Sequence, residues 1–296
     1  VANYLHRQQI DILHINWGHD LPLAVLAKGL CRRHVRLVYS RHMRWVKPKQ
    51  DVYHRWLYRN VDRLLTITRQ LKDQAERFLP IDPQRVEVCY LGRPPCRDKD
   101  PARCAEMFGD NAGAFHLGLM GRIEYKKGQH VLLQALAALQ AQGLTVNAVI
   151  IGHAMDQQYL QQLKQQVSDM DLDDQVRFLD FISDPMAILP CFDVMVLTTL
   201  EETFGLVLVE AMQCGVAVIG TRAGGVPEII EEGESGLMFA PGNAAELAQC
   251  IRRYHDDAEL RQRIGSNGKA RAQRLFSKEH HYDALRQHFS ALMQTD

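Results

Sequence analysis

Short apolar runs alternate with segments of helical periodicity along almost the whole chain, and they do so in two series. In the first series, residues 11–16, 35–40, 63–68 and 86–90 read as strands, with helices over about 21–32 and from the third strand through about 78. In the second, strands are expected at 116–121, 146–151, 176–180, 194–198 and 216–220, with a helix over 128–142 and a mainly helical tail over 243–293. A helix between successive apolar strands is the signature of crossover connections, so each series predicts a parallel sheet covered by helices. Between them the stretch 92–101, GRPPCRDKDP, is rich in proline and charge and reads as a linker. The expected architecture is α/β with two Rossmann-like domains. The first covers 1–105 and the second 106–278, and 279–296 forms a helix that packs back on the first.

A chain of 296 residues can bury two such cores. There is no apolar run of about 18 residues, so no transmembrane helix is expected, and no secretory signal is visible. The seven cysteines are odd in number and include no C-x-x-C pair, which predicts scattered free thiols in a reducing compartment. The thirteen histidines show no H-E-x-x-H spacing, and no metal held by the protein is expected. The net charge of zero hides an asymmetry: residues 1–100 carry 19 Lys and Arg against 10 Asp and Glu. Much of that charge lies in 41–49 and 54–59, interleaved with Trp45, Trp56 and Tyr58. Such a face suits an anionic or lipid-linked acceptor, or peripheral contact with an anionic membrane through residues 41–59, against the plain alternative of a solvated surface. No nucleic-acid motif accompanies it, and no nucleic-acid partner is expected.

Chemistry concentrates in 202–210, ETFGLVLVE, where Glu202 and Glu210 stand eight positions apart around an apolar run. The strand pattern DVMVLTT precedes it and AMQCG follows, so a helix is expected to start near Phe204. A helix N-terminus offers unpaired backbone N–H groups and a positive dipole end to a phosphate. An acid beside such a site suits sugar or ribose hydroxyls. Two isolated glutamates would be ordinary solvated helix residues, but Val207, Leu208 and Val209 between them look like core. Earlier, GRIEYKKG at 121–128 brackets a loop with Arg122 and Lys127, two cations able to neutralise a diphosphate, with Lys126 as a solvated neighbour. Neither a G-x-G-x-x-G dinucleotide loop nor a Walker loop is present.

The segment ETFGLVLVEAM resembles the E-x7-E motif of the retaining GT-B glycosyltransferases of family 4, and GTRAGGVPE at 220–228 is similar to the loop that follows in that family. The resemblance covers nearly the whole chain. It implies a GT-B fold, with two Rossmann-like domains facing across a cleft. It also implies transfer of a hexose from a nucleoside-diphosphate sugar to an acceptor hydroxyl with retention, in bacterial surface glycan or lipopolysaccharide synthesis. Arg122 and Lys127 would hold the pyrophosphate. Glu202 would contact the transferred sugar and stand nearest to a catalytic role. Glu210 would take the ribose, and the backbone of Thr203, Phe204, Gly205, Leu206 and Val207 would serve the phosphates. His42, after the second strand, matches a histidine that faces the donor sugar, although YSRHM replaces the family's Thr-x-His. His14 and His19 are weaker candidates for the acceptor side. Base contacts would come from loops such as 180–183. No bound cofactor is implied; the partners are the nucleotide sugar and a glycan or lipid-linked acceptor. The location implied is the cytoplasm, at the inner face of the membrane. The first domain is small for this family, so an N-terminal strand with a glycine-containing acceptor loop is expected to be missing. The alternatives are a nucleotide-sugar epimerase or phosphorylase of the same shape, and a catalytically silent nucleotide-sugar-binding module.

Overall fold

The two series of strands become two all-parallel sheets in the computed structural model, which describes residues 1–108 and 114–294. The chain divides into two units. One holds Val1–Gly92 together with the segment from Lys278, and the other is Arg93–Ser277.

The first unit runs α1 (Ala2–Arg7), β1 (Ile12–Ile15), α2 (Leu21–Leu30), β2 (Arg36–Arg41), α3 (Val52–Arg59), β3 (Arg63–Thr66), α4 (Arg69–Phe78) and β4 (Val86–Val88). Its sheet has the sequential order β1-β2-β3-β4. β2 is buried at Leu37, Val38, Tyr39 and Ser40, as a parallel strand covered on both faces must be. Asp62 fixes the entry to β3 by accepting the Leu37 N–H at 2.6 Å while paired with Lys28 of α2. Thr68 caps α4 by accepting the Leu71 N–H at 3.1 Å.

The second unit begins with α5 (Pro101–Phe108) and continues through β5 (His116–Met120), α6 (Gln129–Gln140), β6 (Asn147–Ile151), α7 (Gln157–Asp169) and β7 (Val176–Leu179). Then follow β8 (Val194–Leu197), α8 (Leu206–Gln213), β9 (Ala217–Thr221), α9 (Val226–Ile229), β10 (Leu237–Phe239), α10 (Ala244–Asp256) and α11 (Ala258–Leu275). The strand order is β10-β9-β8-β5-β6-β7, so the winding reverses between β5 and β8. This is the Rossmann order, and ligands of such sheets bind beyond the carboxyl ends of the strands at that reversal. The core joins the sheet to α6, α7, α10 and α11 through Leu132, Leu136, Leu163, Ile251 and Ile264, all fully buried.

The last helix, α12 (Lys278–Met293), belongs to the first unit. Ala284, Leu285, Phe289 and Leu292 pack with Val38, Leu65 and Cys89 in a small cluster. The spacing of those four residues is that of one helix face.

Two expectations change. Free thiols were expected throughout, but Cys96 is bonded to Cys214 and Cys104 to Cys191; Cys31, Cys89 and Cys250 are free. The partners lie 118 and 87 residues apart, so no local spacing could announce them. The division also falls at Gly92 rather than near 105. The linker from Arg93 is held to the second unit by the first disulfide and by Arg93 N–H donating to Phe276 O at 2.9 Å. Leu132→Ala, which empties a fully buried position of α6, is expected to cost about 2–5 kcal/mol. Urea denaturation followed by circular dichroism measures it, and a loss well below that range would mean that this core collapses around the gap.

Candidate active site

Reversal of the strand order sets the loop after β5 beside the loop after β8, and a network of hydrogen bonds joins them. Lys127 O accepts Thr198 Oγ1 at 2.7 Å, and Lys126 O accepts Leu200 N–H at 3.0 Å. Thr221 Oγ1 of β9 donates to Thr199 O at 2.9 Å. The first loop is shaped from within by Gln129, fully buried, whose Nε2 donates to Arg122 O at 2.9 Å. These bonds bring Lys127 Nζ to 3.2 Å from Glu202 Oε2, across 75 residues of sequence, with both side chains largely shielded from solvent.

Two glycines set the path of the motif. Gly205 has φ +107° and is the N-cap of α8, a conformation that L side chains resist. Gly224 has φ +59°, and a Cβ there would collide with Glu202 O, which accepts the Gly225 N–H at 3.4 Å. The GTRAGGVPE loop therefore presses directly on the backbone of Glu202. Phe204 is buried edge-on to Phe276 at 5.8 Å, so its ring anchors the loop in the core. Thr203 N–H donates to Glu202 Oε1 at 3.0 Å, and that amide holds the carboxylate. Leu206 and Val207 open α8, where first-turn amides have no partner within the helix.

A cavity of about 260 Å³ lies beside the motif, lined by Arg122, His153, Phe181, Ile182, Val207 and Glu210 among others. Arg122 is well exposed and pairs with Glu124 Oε1 at 2.9 Å. Glu210 is buried and bonded to Arg93 of the linker. Burial raises its pKa above the ordinary glutamate value, and the Arg93 charge and hydrogen bond oppose that rise. Phe181, from the loop 180–183, leaves most of its ring in solvent at the cavity wall.

The three predicted histidines lie in the first unit. His14 Nε2 is 2.8 Å from Ser40 Oγ, and its ring meets Phe289 of α12 at 5.5 Å. His42 follows β2 on the surface. Both have pKa values below the ordinary histidine value. For His14 the causes are burial, then His42 and His281; for His42 they are the desolvating surroundings, then His281 and Arg41. His281 of α12 is anchored by Nδ1–H donating to Tyr90 O at 2.7 Å. His19 stands apart from this cluster, in a cavity of about 210 Å³ with Tyr39, Arg41, Trp45, Tyr53 and Tyr58.

The structure thus joins Lys127 to Glu202, places Arg122, Val207 and Glu210 on one cavity, and groups His14 with His42. The sequence reading missed Arg93, Glu124, Gln129 and His281. None sits in the two-glutamate motif; only the tertiary fold brings Arg93 to Glu210 and His281 to His42, whereas Glu124 and Gln129 meet Arg122 within the same stretch of chain. Among the described residues no group of three or more His, Cys, Asp or Glu side chains is arranged to hold a metal ion.

Two parallel α/β units, the second in Rossmann order with its charged loops at the strand reversal, define a GT-B fold. The chain belongs to the glycosyl transferases group 1 family, which residues 109–271 match, while residues 1–95 match Glycosyltransferase Family 4. A D-inositol 3-phosphate glycosyltransferase of Pseudarthrobacter chlorophenolicus is 34% identical over 56% of this chain, which spans 40% of that relative's length. The lipopolysaccharide core biosynthesis mannosyltransferase LpcC of Rhizobium leguminosarum is 23% identical over 97% of this chain and 80% of its own. Anabaena HepE, crystallised with UDP, superimposes with a TM-score of 0.85 at 26% identity, over 98% of this chain and 80% of that one. It has also been crystallised with UDP-glucose.

Because His281 lowers the pKa of both His14 and His42 through its charge, His281→Gln is expected to move both titrations upward, toward the ordinary histidine value. Each ring then keeps its proton to higher pH. NMR titration of the imidazole resonances measures this, and unchanged midpoints would show that the three rings are not electrostatically linked.

Proposed function

We propose that this chain transfers a hexose from a uridine-diphosphate sugar to an acceptor hydroxyl with retention of configuration. The observation that carries the reading is the Lys127–Glu202 pair at the strand reversal, together with a cavity lined by Arg122, Val207 and Glu210 from the same two segments. HepE's crystallisation with UDP and with UDP-glucose makes UDP the first nucleotide to try.

In this reading the second unit is the donor domain. Arg122, Lys127 and the first amides of α8 stabilise the charge that grows on the departing diphosphate. Glu202, already positioned by Thr203 N–H and Lys127, accepts hydroxyls of the transferred sugar. Glu210 accepts the ribose hydroxyls, and Phe181 and Ile182 wall the base. As the sugar–phosphate bond breaks, the sugar takes on oxocarbenium character. The acceptor hydroxyl attacks from the face that the phosphate leaves and passes its proton to a phosphate oxygen. No second carboxylate nucleophile is needed, unlike the retaining glycosidases. The first unit is read as the acceptor domain, with His42, His14 and His19 as its candidate sugar- and acceptor-binding side chains.

Calorimetry with UDP, GDP and ADP tests the donor site. One nucleotide is expected to bind, and Lys127→Ala to weaken it by about 10- to 100-fold, the size of a charged hydrogen bond. Glu202→Ala should keep nucleotide binding and lose on the order of 100-fold in turnover with the matching sugar nucleotide. Unchanged turnover in that variant would remove Glu202 from the reaction.

The same reading places the work in bacterial surface glycan or lipopolysaccharide synthesis, as LpcC is named for, at the inner face of the membrane. No helix among the described residues is long and apolar enough to cross a membrane. Of the three aromatics expected on that face, Trp45 and Tyr58 are buried in the core, so support for peripheral contact comes from Met43, Val46, Val52, Tyr53 and Trp56, all exposed among the basic residues of 41–59. The chain is expected to co-sediment with phosphatidylglycerol vesicles more than with phosphatidylcholine vesicles. Val46→Ser with Trp56→Ser should reduce that binding, and equal sedimentation with both lipids would exclude the anionic surface.

A further inference from the structure

Glu210 is the least solvated of the site's carboxylates, and a buried carboxylate tends to take up a proton. A protonated carboxyl is a poorer acceptor for hydroxyl groups than a carboxylate. The group that opposes protonation lies outside the motif, 117 residues earlier in the chain: Arg93 Nη2 donates to Glu210 Oε1.

Arg93 is held at both ends. Its N–H donates to Phe276 O at 2.9 Å, and it bridges to Ser277. Phe276 is the residue on which Phe204 of the motif packs, and its carbonyl also accepts Gln213 Nε2 at 3.5 Å. Three residues beyond Arg93, Cys96 is bonded to Cys214, which itself follows Glu210 by about one helical turn. An ion pair and a disulfide therefore join the same two segments side by side. Through Nη2 the guanidinium donates to Glu210, while its Nε is buried with no hydrogen-bond partner among the described residues.

We propose that Arg93 is a positioning residue of the donor site, keeping Glu210 a carboxylate through Oε1 and leaving Oε2 to accept a ribose hydroxyl. This rests on the donor-site reading above.

The charges around Glu210 are few. Arg93 comes from the linker, and Arg122 and His153 line the same cavity from the loops after β5 and β6. Glu210 is the only ionisable residue of α8. α11 packs on α8 with Ile264, Gly265, Gly268 and Ala272 buried. Of its cations, Arg261 is engaged with Tyr254 O and Asp193, and Arg271 with Ile229 O and Glu231. Arg263, Lys269 and Arg274 share that helix. β8 and β9 carry no charged residue, and Cys191 and Cys214 are in disulfides. With Arg93 gone, the opposing effect of its charge is lost, and Glu210 holds its proton to higher pH.

Calorimetry with UDP and with 2′,3′-dideoxy-UDP, across acid to alkaline pH, tests this on the full chain, on Arg93→Ala and on Arg93→Lys. Arg93→Ala is expected to bind UDP about 10-fold more weakly at neutral pH, to recover as pH rises, and to bind the dideoxy nucleotide like the parent. Arg93→Lys should restore most of the UDP affinity. Glu210→Gln, which cannot ionise, supplies a second test: adding Arg93→Ala to it should leave the pH profile flat. An Arg93→Ala profile identical to the parent's, or an equal loss of both nucleotides at every pH, overturns the proposal and leaves the donor reading standing. Failure of the parent chain to bind UDP, GDP or ADP overturns the donor reading and this proposal with it.

Discussion

The neighbouring placement of β5 and β8 governs the second unit. Successive strands in a wound sheet usually carry their loops away from one another, and only at the reversal do two loops from distant parts of the chain stand side by side. Here that geometry sets 121–128 against 198–205. The bonds from Thr198 Oγ1 to Lys127 O and from Leu200 N–H to Lys126 O then turn proximity into a fixed arrangement. Arg122, Glu124, Lys127, Glu202 and Glu210 all hang on those two loops or on the helix that follows the second.

The site's charges occur in pairs: Lys127 with Glu202, Arg122 with Glu124, and Arg93 with Glu210. Each pair serves a different need. Lys127 and Glu202 are both largely shielded, and each supplies the other's counter-charge. Arg122 and Glu124 are more open, and water and salt weaken their attraction, so Arg122 can exchange partners readily. Arg93 and Glu210 join the linker to the motif helix.

In the first unit, burial and like charge shape the histidine cluster. His14, His42 and His281 come from β1, the end of β2 and α12, and burial, then the charge of neighbouring groups including His281, lowers the pKa of His14 and His42. Neutral imidazole can both donate and accept a hydrogen bond. α12 supplies one of these rings because its apolar face, through Phe289 and Leu292, has its packing partners on that sheet.

The sequence by itself determined the two parallel sheets, because the side-chain period and the alternation of apolar runs with helices are local properties, and β5, β6, β7, β8 and β9 lie within a residue or two of their expected positions. It also determined the two-glutamate motif and the bracketing of Arg122 and Lys127, since each lies within a short span. It placed no helix at α1, α3, α5, α7 or α9 and no strand at β10; most of these are short, and the 13-residue α7 is largely polar, with only Tyr159, Leu163 and Val167 buried. Tertiary structure alone decided what touches what. It paired Lys127 with Glu202 and Arg93 with Glu210, grouped His281 with His42, and closed the two disulfides. Those contacts join residues many tens of positions apart. Which of the many ionisable side chains meet is set by the order of strands in a sheet, which residue spacing along a chain does not encode.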